Sequence, residues 1–295
     1  MNDIDEIFDN YPKAEVTSVA PFDKEKWIEK KQAERKAAFT MIDKAADDAI
    51  SDADLFTTIL NVMARFDRYS VGNVLLIAEQ MPGATKLADF DTWKQNGCFI
   101  KKGEESLMLL EPGDEYTRED GSIGVSYNVK KVFDVSQTSA KASNNPSVRY
   151  DQNLLLRALA YHAPCKVERC DVLANSQAAI YDPEANKVMI RNGMKAEEIF
   201  RCLGQELAVA YMHKGEGKAG NYGFLSFCVS YILCMRYGIN PPAFRINTIK
   251  NGLDGMTNQQ IRAELGKIRN YANQLSMDMN RFLELQSKDK LMDSR

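Results

Sequence analysis

Two stretches of the chain gather side chains with chemical capacity. One is Glu197–His213, EEIFRCLGQELAVAYMH, where Ile199, Phe200, Leu203, Leu207, Ala210 and Tyr211 recur at helical spacing. Such a helix holds a catalytic metal when two histidines four residues apart share a face and the glutamate after the first serves as base. Here that register reads Gln205-Glu206-Leu207-Ala208-Val209. The base position survives as Glu206. The ligand positions do not, since valine has no lone pair and glutamine is a poor neutral substitute. The chain has 2 histidines, His162 and His213. A three-histidine site is therefore ruled out, and a His2Glu site would need both to converge from unrelated places. A mixed site using His213, Cys202, Cys228 or Cys234 stands against the ordinary role of cysteine on apolar helices, which is packing. The expectation is no metal, no other cofactor and no catalysis, with Glu206 a vestige.

The other stretch is Arg65-Phe66-Asp67-Arg68-Tyr69-Ser70-Val71-Gly72-Asn73, followed by Trp93-Lys94 and Phe99-Ile100-Lys101-Lys102-Gly103. Flat rings beside cations suit single-stranded nucleic acid, because rings stack on bases while Lys and Arg track phosphates. The amide of Asn73 and the hydroxyl of Ser70 add groups that bond phosphates or base edges. The candidate binding residues are Arg65, Arg68, Tyr69, Ser70, Asn73, Trp93, Lys94, Lys101 and Lys102. The competing reading is structural: Phe66, Phe90, Trp93 and Phe99 as core, Lys101-Lys102 as a solvated turn. Charge does not decide between them, since residues 60–140 hold 9 Lys/Arg against 12 Asp/Glu and the whole chain has a net charge of −3.

The elements that must position these groups read as an α+β protein. A solvated, acidic helical leader occupies residues 1–50, its helix starting near the N-cap Asp23. Helices follow after Ser51 and over Val71–Gln80, the latter stopped by Pro82. Thr85–Leu110 and Val125–Val135 suggest strands, with a turn at Glu119-Asp120-Gly121. A Ser-, Asn- and Lys-rich linker covers residues 139–150. Beyond it come a helix over 152–162, strands over 165–174 and 178–191 with a turn at Asp182–Asn186, the Glu206 helix, a Gly/Lys loop at 214–220 and an apolar helix over 222–237. The tail, 246–295, carries Ile261, Leu265, Ile268, Ala272, Leu275, Met279 and Phe282 at alternating steps of four and three. That stripe fits a helix packed on the body, or a homodimer seam through residues 257–285.

The 6 cysteines form no CxxC pair, and the acidic N-terminus is no signal peptide. Reduced thiols in a cytoplasmic protein are expected. The longest apolar run, Phe224–Met235, is too short to span a bilayer, so no membrane association is expected.

The order of residues adds more. RFDRYSVGNVLLIAEQMPGATKLADFDTWKQNGCFIKKGEESLMLLEP, residues 65–112, and VFDVSQT, residues 132–138, resemble the N-terminal domain of ArdC-type antirestriction proteins. The likeness spans roughly residues 50–140. It implies a single-stranded-DNA-binding domain over 51–138, in a protein of conjugative or integrative elements that shields incoming DNA from restriction. EIFRCLGQELAVAYMH with FCVSYILCMRYGIN resembles the ImmA/IrrE-like zincin domain that follows in that family, placing a degenerate zincin-like domain over 151–245. The resemblance implies three ligand positions, occupied here by Gln205, Val209 and Phe227. No Asp or Glu lies between Glu216 and Asp254 to replace the third. The expected function is a non-catalytic single-stranded-DNA-binding accessory protein. Two alternatives stand beside it: a pseudo-peptidase module gripping a host defence or conjugation protein, and a metallopeptidase with atypical ligands.

Overall fold

The computed structural model describes residues 23–140, 150–173, 177–216 and 222–293. The start of the acidic leader, most of the linker and the end of the Gly/Lys loop lie outside the described residues. Helix α1 (Lys24–Ser51) starts at Asp23, whose carboxylate caps Lys26 N. It is solvated only in its first half. Ala38, Ile42, Ala45, Ala46 and Ala49 are buried, so the expected solvated leader is partly core. Small alanines let this face approach its neighbours closely. Asp52 caps α2 (Ala53–Arg65), and Ser70 caps α3 (Val71–Gln80).

The first sheet has the order β1-β3-β2, with β1 Leu87–Ala88, β2 Leu107–Thr117 and β3 Ile123–Asp134. β2 and β3 form a long antiparallel hairpin with a bulge between Pro112 and Glu115. Its tip is the expected turn, closed by Gly121 at φ 80°. A short helix the sequence did not announce, α4 (Phe90–Gln95), sits between β1 and β2. Residues 85–110 are thus not all strand.

The second half holds α5 (Gln152–Tyr161), β4 (Lys166–Cys170), β5 (Ala179–Asp182) and β6 (Lys187–Arg191). Its sheet has the order β4-β6-β5, with β4 parallel and β5 antiparallel to β6. The turn at 182–186 splits the expected second strand into the β5–β6 hairpin. Helices α6 (Ala196–Glu216), α7 (Tyr222–Tyr237), α8 (Ile246–Leu253) and α9 (Asn258–Asp293) complete the chain.

One hydrophobic core runs through both halves. Phe56 of α2 packs on Phe224 of α7 at 5.7 Å, and Tyr231 donates to Asn61 Oδ1 at 3.0 Å. The boundary between the halves is therefore one of sequence and not of packing. The stripe on α9 belongs to this core. Ile261, Leu265, Ile268, Ala272 and Met279 are fully buried, and α9 packs on α5 and α7. The chain's own helices cover the surface on which the homodimer seam was expected. Among the described residues no helix is long and apolar enough to cross a membrane, and all six cysteines are unpaired.

Candidate nucleic-acid interface

The nine candidate residues separate into those the fold consumes and those it leaves open. Asn73 is consumed. Its amide lies buried, donating to Leu110 O and accepting from Leu110 N, both at 2.8 Å. Gln80, seven residues on along α3, does the same to Met108 at 3.0 and 2.8 Å. Two amides on one helix face thus pin α3 to the backbone of β2. Trp93 is consumed as well: it is 3% exposed, and its indole N–H donates to Phe133 O at 2.9 Å. Neither can stack on a base or hold a phosphate, because their polar groups already satisfy buried backbone. Arg65 donates to Ala84 O and Pro82 O. Burial lowers its pKa from the usual guanidinium range, with Asp134 opposing. Ser70 is the cap of α3, accepting from Asn73 N. Lys101 Nζ donates to Ser136 O at 2.7 Å.

Arg68, Lys94 and Lys102 are exposed. None has an ion pair or hydrogen bond among the described residues. Two rings weighed as core are exposed instead, Phe90 at 55% and Phe99 at 69%. Phe90 and Lys94 stand four apart on α4 and so share a helix face.

The same half holds a groove of about 340 Å³ lined by Tyr69, Asp89, Thr92, Glu111 and Lys130 over an apolar floor that includes Leu109 and Val132. Lys130 Nζ lies 2.9 Å from Asp89 Oδ2 and 3.7 Å from Glu111 Oε2. Hydrogen bonds from Thr92 and Lys130 hold the Asp89 carboxyl well below the usual range, and the same pair raises Lys130. Tyr69 is half-buried, edge-on to Phe66 at 5.4 Å. Its phenol is raised by burial. Sequence reasoning missed Asp89, Glu111 and Lys130. The one available signal was Asp89 three residues before Thr92, an N-cap spacing whose bond measures 2.8 Å.

The run Phe133–Thr138 ties the end of β3 to the approach to β1. Asp134 accepts from Thr85, Lys86 and Ser136 N–H at 2.7, 2.9 and 3.0 Å. Gln137 returns to Asp134 N at 2.8 Å in a capping box. The 66–70 loop is held from the second half. Arg269 donates to Tyr69 O, and Asn273 to Asp67 O. Half-buried Arg236 reaches Met63 O, Ala64 O, Ala272 O, Ser276 Oγ and Asn273 Oδ1.

On α6, Glu206 Oε2 accepts from Tyr181 N at 2.8 Å. Burial raises its pKa, and that bond opposes the shift. Gln205 and Val209 are half-buried. Phe227 packs edge-on against Phe244 at 4.9 Å. His213 Nε2 is buried without a hydrogen-bond partner among the described residues, and its ring stands 5.9 Å from that of Tyr181. Burial pushes Cys202 up, Cys228 well up and Cys234 up to about 12. A thiol ligand must be deprotonated, so burial works against the mixed site. Among the described residues no three His, Cys, Asp or Glu side chains gather as a metal site.

No family model matches the chain. An uncharacterized protein of Bacillus anthracis is 24% identical over 255 residues, covering 66% of this chain and 43% of that protein. The chain thus spans less than half the length of this curated relative. The metal-free crystal structure of the antirestriction protein ArdC from plasmid R388 superimposes with a TM-score of 0.55 at 14% identity, covering 82% of this chain and 98% of ArdC. The Mn(II)-bound structure of the same protein gives 0.50 at 15%, covering 72% and 85%. The fold assembled from these two small sheets and their shared helical core is that of ArdC.

Proposed function

We propose that the chain is a single-stranded-DNA-binding accessory protein of antirestriction type, belonging to a conjugative or integrative element and lacking hydrolytic chemistry of its own. The observation that carries this reading is the set of exposed rings and unpaired cations on the first half. Phe90 and Phe99 are solvent-exposed at 55% and 69%, and the exposed cations Arg68, Lys94 and Lys102 carry no ion pair among the described residues. Large exposed rings cost free energy unless a partner covers them, and bases provide sequence-tolerant cover. The ArdC fold supports the antirestriction role.

The absence of catalysis follows from the donor set. ArdC has been crystallised with Mn(II), but Gln205, Val209 and Phe227 do not fit a divalent cation. An amide, an alkyl group and a phenyl ring supply at most one weak ligand where about three are needed. Glu206 alone neither fixes a metal nor activates a water.

Anisotropy titration across salt, with single strand and duplex in parallel, tests the reading. Single strand is bound more tightly. Arg68→Gln/Lys94→Gln/Lys102→Gln weakens binding at least tenfold at low salt and makes the salt slope shallower by about 2. Unchanged affinity in the triple variant, or no wild-type binding at low salt, refutes it. Stoichiometric zinc or manganese surviving dialysis refutes the non-catalytic part.

A further inference from the structure

The groove itself has chemistry that a phosphate does not fit. Its charged lining is one cation, Lys130, against two anions, Asp89 and Glu111. Both carboxylates lie within 4 Å of the ammonium, so its charge is neutralised where it stands. A phosphate entering here meets net negative charge. A nucleobase carries none, and its edge alternates donors and acceptors. Carboxylate oxygens, an ammonium and the Thr92 hydroxyl can answer such an edge.

The remaining walls suit a flat, uncharged ring. Tyr69 presents a half-buried phenol braced by Phe66, with its backbone carbonyl fixed by Arg269 at 2.8 Å. Its hydroxyl has no hydrogen-bond partner among the described residues. Leu109 and Val132 lie in the floor. A space of about 340 Å³ is in the range that small planar ligands occupy. Exposed cations able to hold phosphates flank the lining residues in sequence, Arg68 next to Tyr69 and Lys94 two residues beyond Thr92.

We infer that this groove is a nucleobase pocket, in which one base of a bound single strand leaves its stack and inserts against Tyr69 while the phosphates stay outside on Arg68 and Lys94. The inference rests on the single-strand reading above and adds to it a separate, salt-independent contribution to binding. It divides the interface into an outer surface of cations and exposed rings and an interior that reads one ring and its edge.

The test compares a labelled 12-nucleotide single strand with an abasic deoxyribose-phosphate strand of equal length, across salt, for four proteins. The wild type binds the base-bearing strand about tenfold more tightly. Tyr69→Ala cuts that preference at least threefold and keeps the salt slope, whereas Tyr69→Phe, which retains the ring, keeps the full preference. Lys130→Gln leaves the slope unchanged, because its charge is already neutralised. Equal wild-type binding of both strands overturns the pocket and leaves the single-strand reading intact. So does a Tyr69→Ala protein that retains the preference, or a Lys130→Gln slope shallower by about 1. Binding of neither strand at low salt overturns both.

Discussion

Two carboxylates removed from solvent, one in each half, are shifted in opposite directions. Asp134 gathers three backbone N–H donors, from Thr85, Lys86 and Ser136. Glu206 has one, from Tyr181. Burial raises both carboxyls. At Asp134 the bonds from Lys86, Ser136 and Thr85 outweigh it and hold the group below the usual range. At Glu206 burial wins. Donor number, not depth, separates a carboxylate built into the fold from one left over in it. The halves differ in the same sense. In the first, the buried Asn73, Asp134, Gln137 and Thr138 all have partners. In the second, the position that a metal site would need holds an acid with a single partner.

Removing Asp134 gives the largest effect. Asp134→Ala strands three N–H groups at the junction of β1, β3 and the following turn. A loss of about 3 kcal/mol is expected, read as a fall in Tm on the order of 10 °C. The sign with pH is also fixed. A carboxyl lowered in the folded state contributes stability that is present above its unfolded pKa and lost as pH falls through its folded one. Wild-type stability therefore falls on acidification below about pH 4, and the variant falls less. An Asp134→Ala protein as stable as the wild type would mean that the donors find other partners.

Arg236→Met cuts the ties between the halves. The guanidinium serves the last carbonyls of α2 and the side chains of α9, and the thioether replaces its bulk but not its donors. A loss of about 2 kcal/mol is expected. Single-strand affinity falls with it, because α9 also holds the loop carrying Arg68 and Tyr69. Thermal unfolding and anisotropy on one preparation check both. Weakened folding with intact binding would show that the first half positions its groove unaided.

Local signals in the sequence carried much of this fold. The cap Asp23, the helix over Val71–Gln80, the turns at 119–121 and 182–186, and the α9 stripe all announce themselves within a few residues. What stayed hidden depends on distant partners. Trp93 and Asn73 have the right types for nucleic acid, yet their polar atoms go to Phe133 and Leu110, some forty residues away. Phe90 read as core because a six-residue helix has too little periodicity to show which way its ring faces, and Phe99 lies beyond that helix where no period applies. Lys130, Glu111 and Asp89 converge only once the β2–β3 hairpin is in register.

The smallest effect sharpens the comparison most. Glu206→Gln keeps an oxygen for Tyr181 N–H and removes a charge that burial disfavours. A carboxyl raised in the folded state binds its proton more tightly there than in the unfolded chain. Wild-type stability therefore declines as pH rises from the unfolded value to the folded one. Below that window the acid is neutral in both states and the substitution changes little. Above it the variant is the more stable, by no more than about 2 °C in Tm, while single-strand binding is unchanged. Parallel melts at pH 4 and pH 8 settle the sign. A variant that melts lower than the wild type at pH 8 would mean the ionised form of Glu206 has a partner of its own, and the contrast with Asp134 would fail.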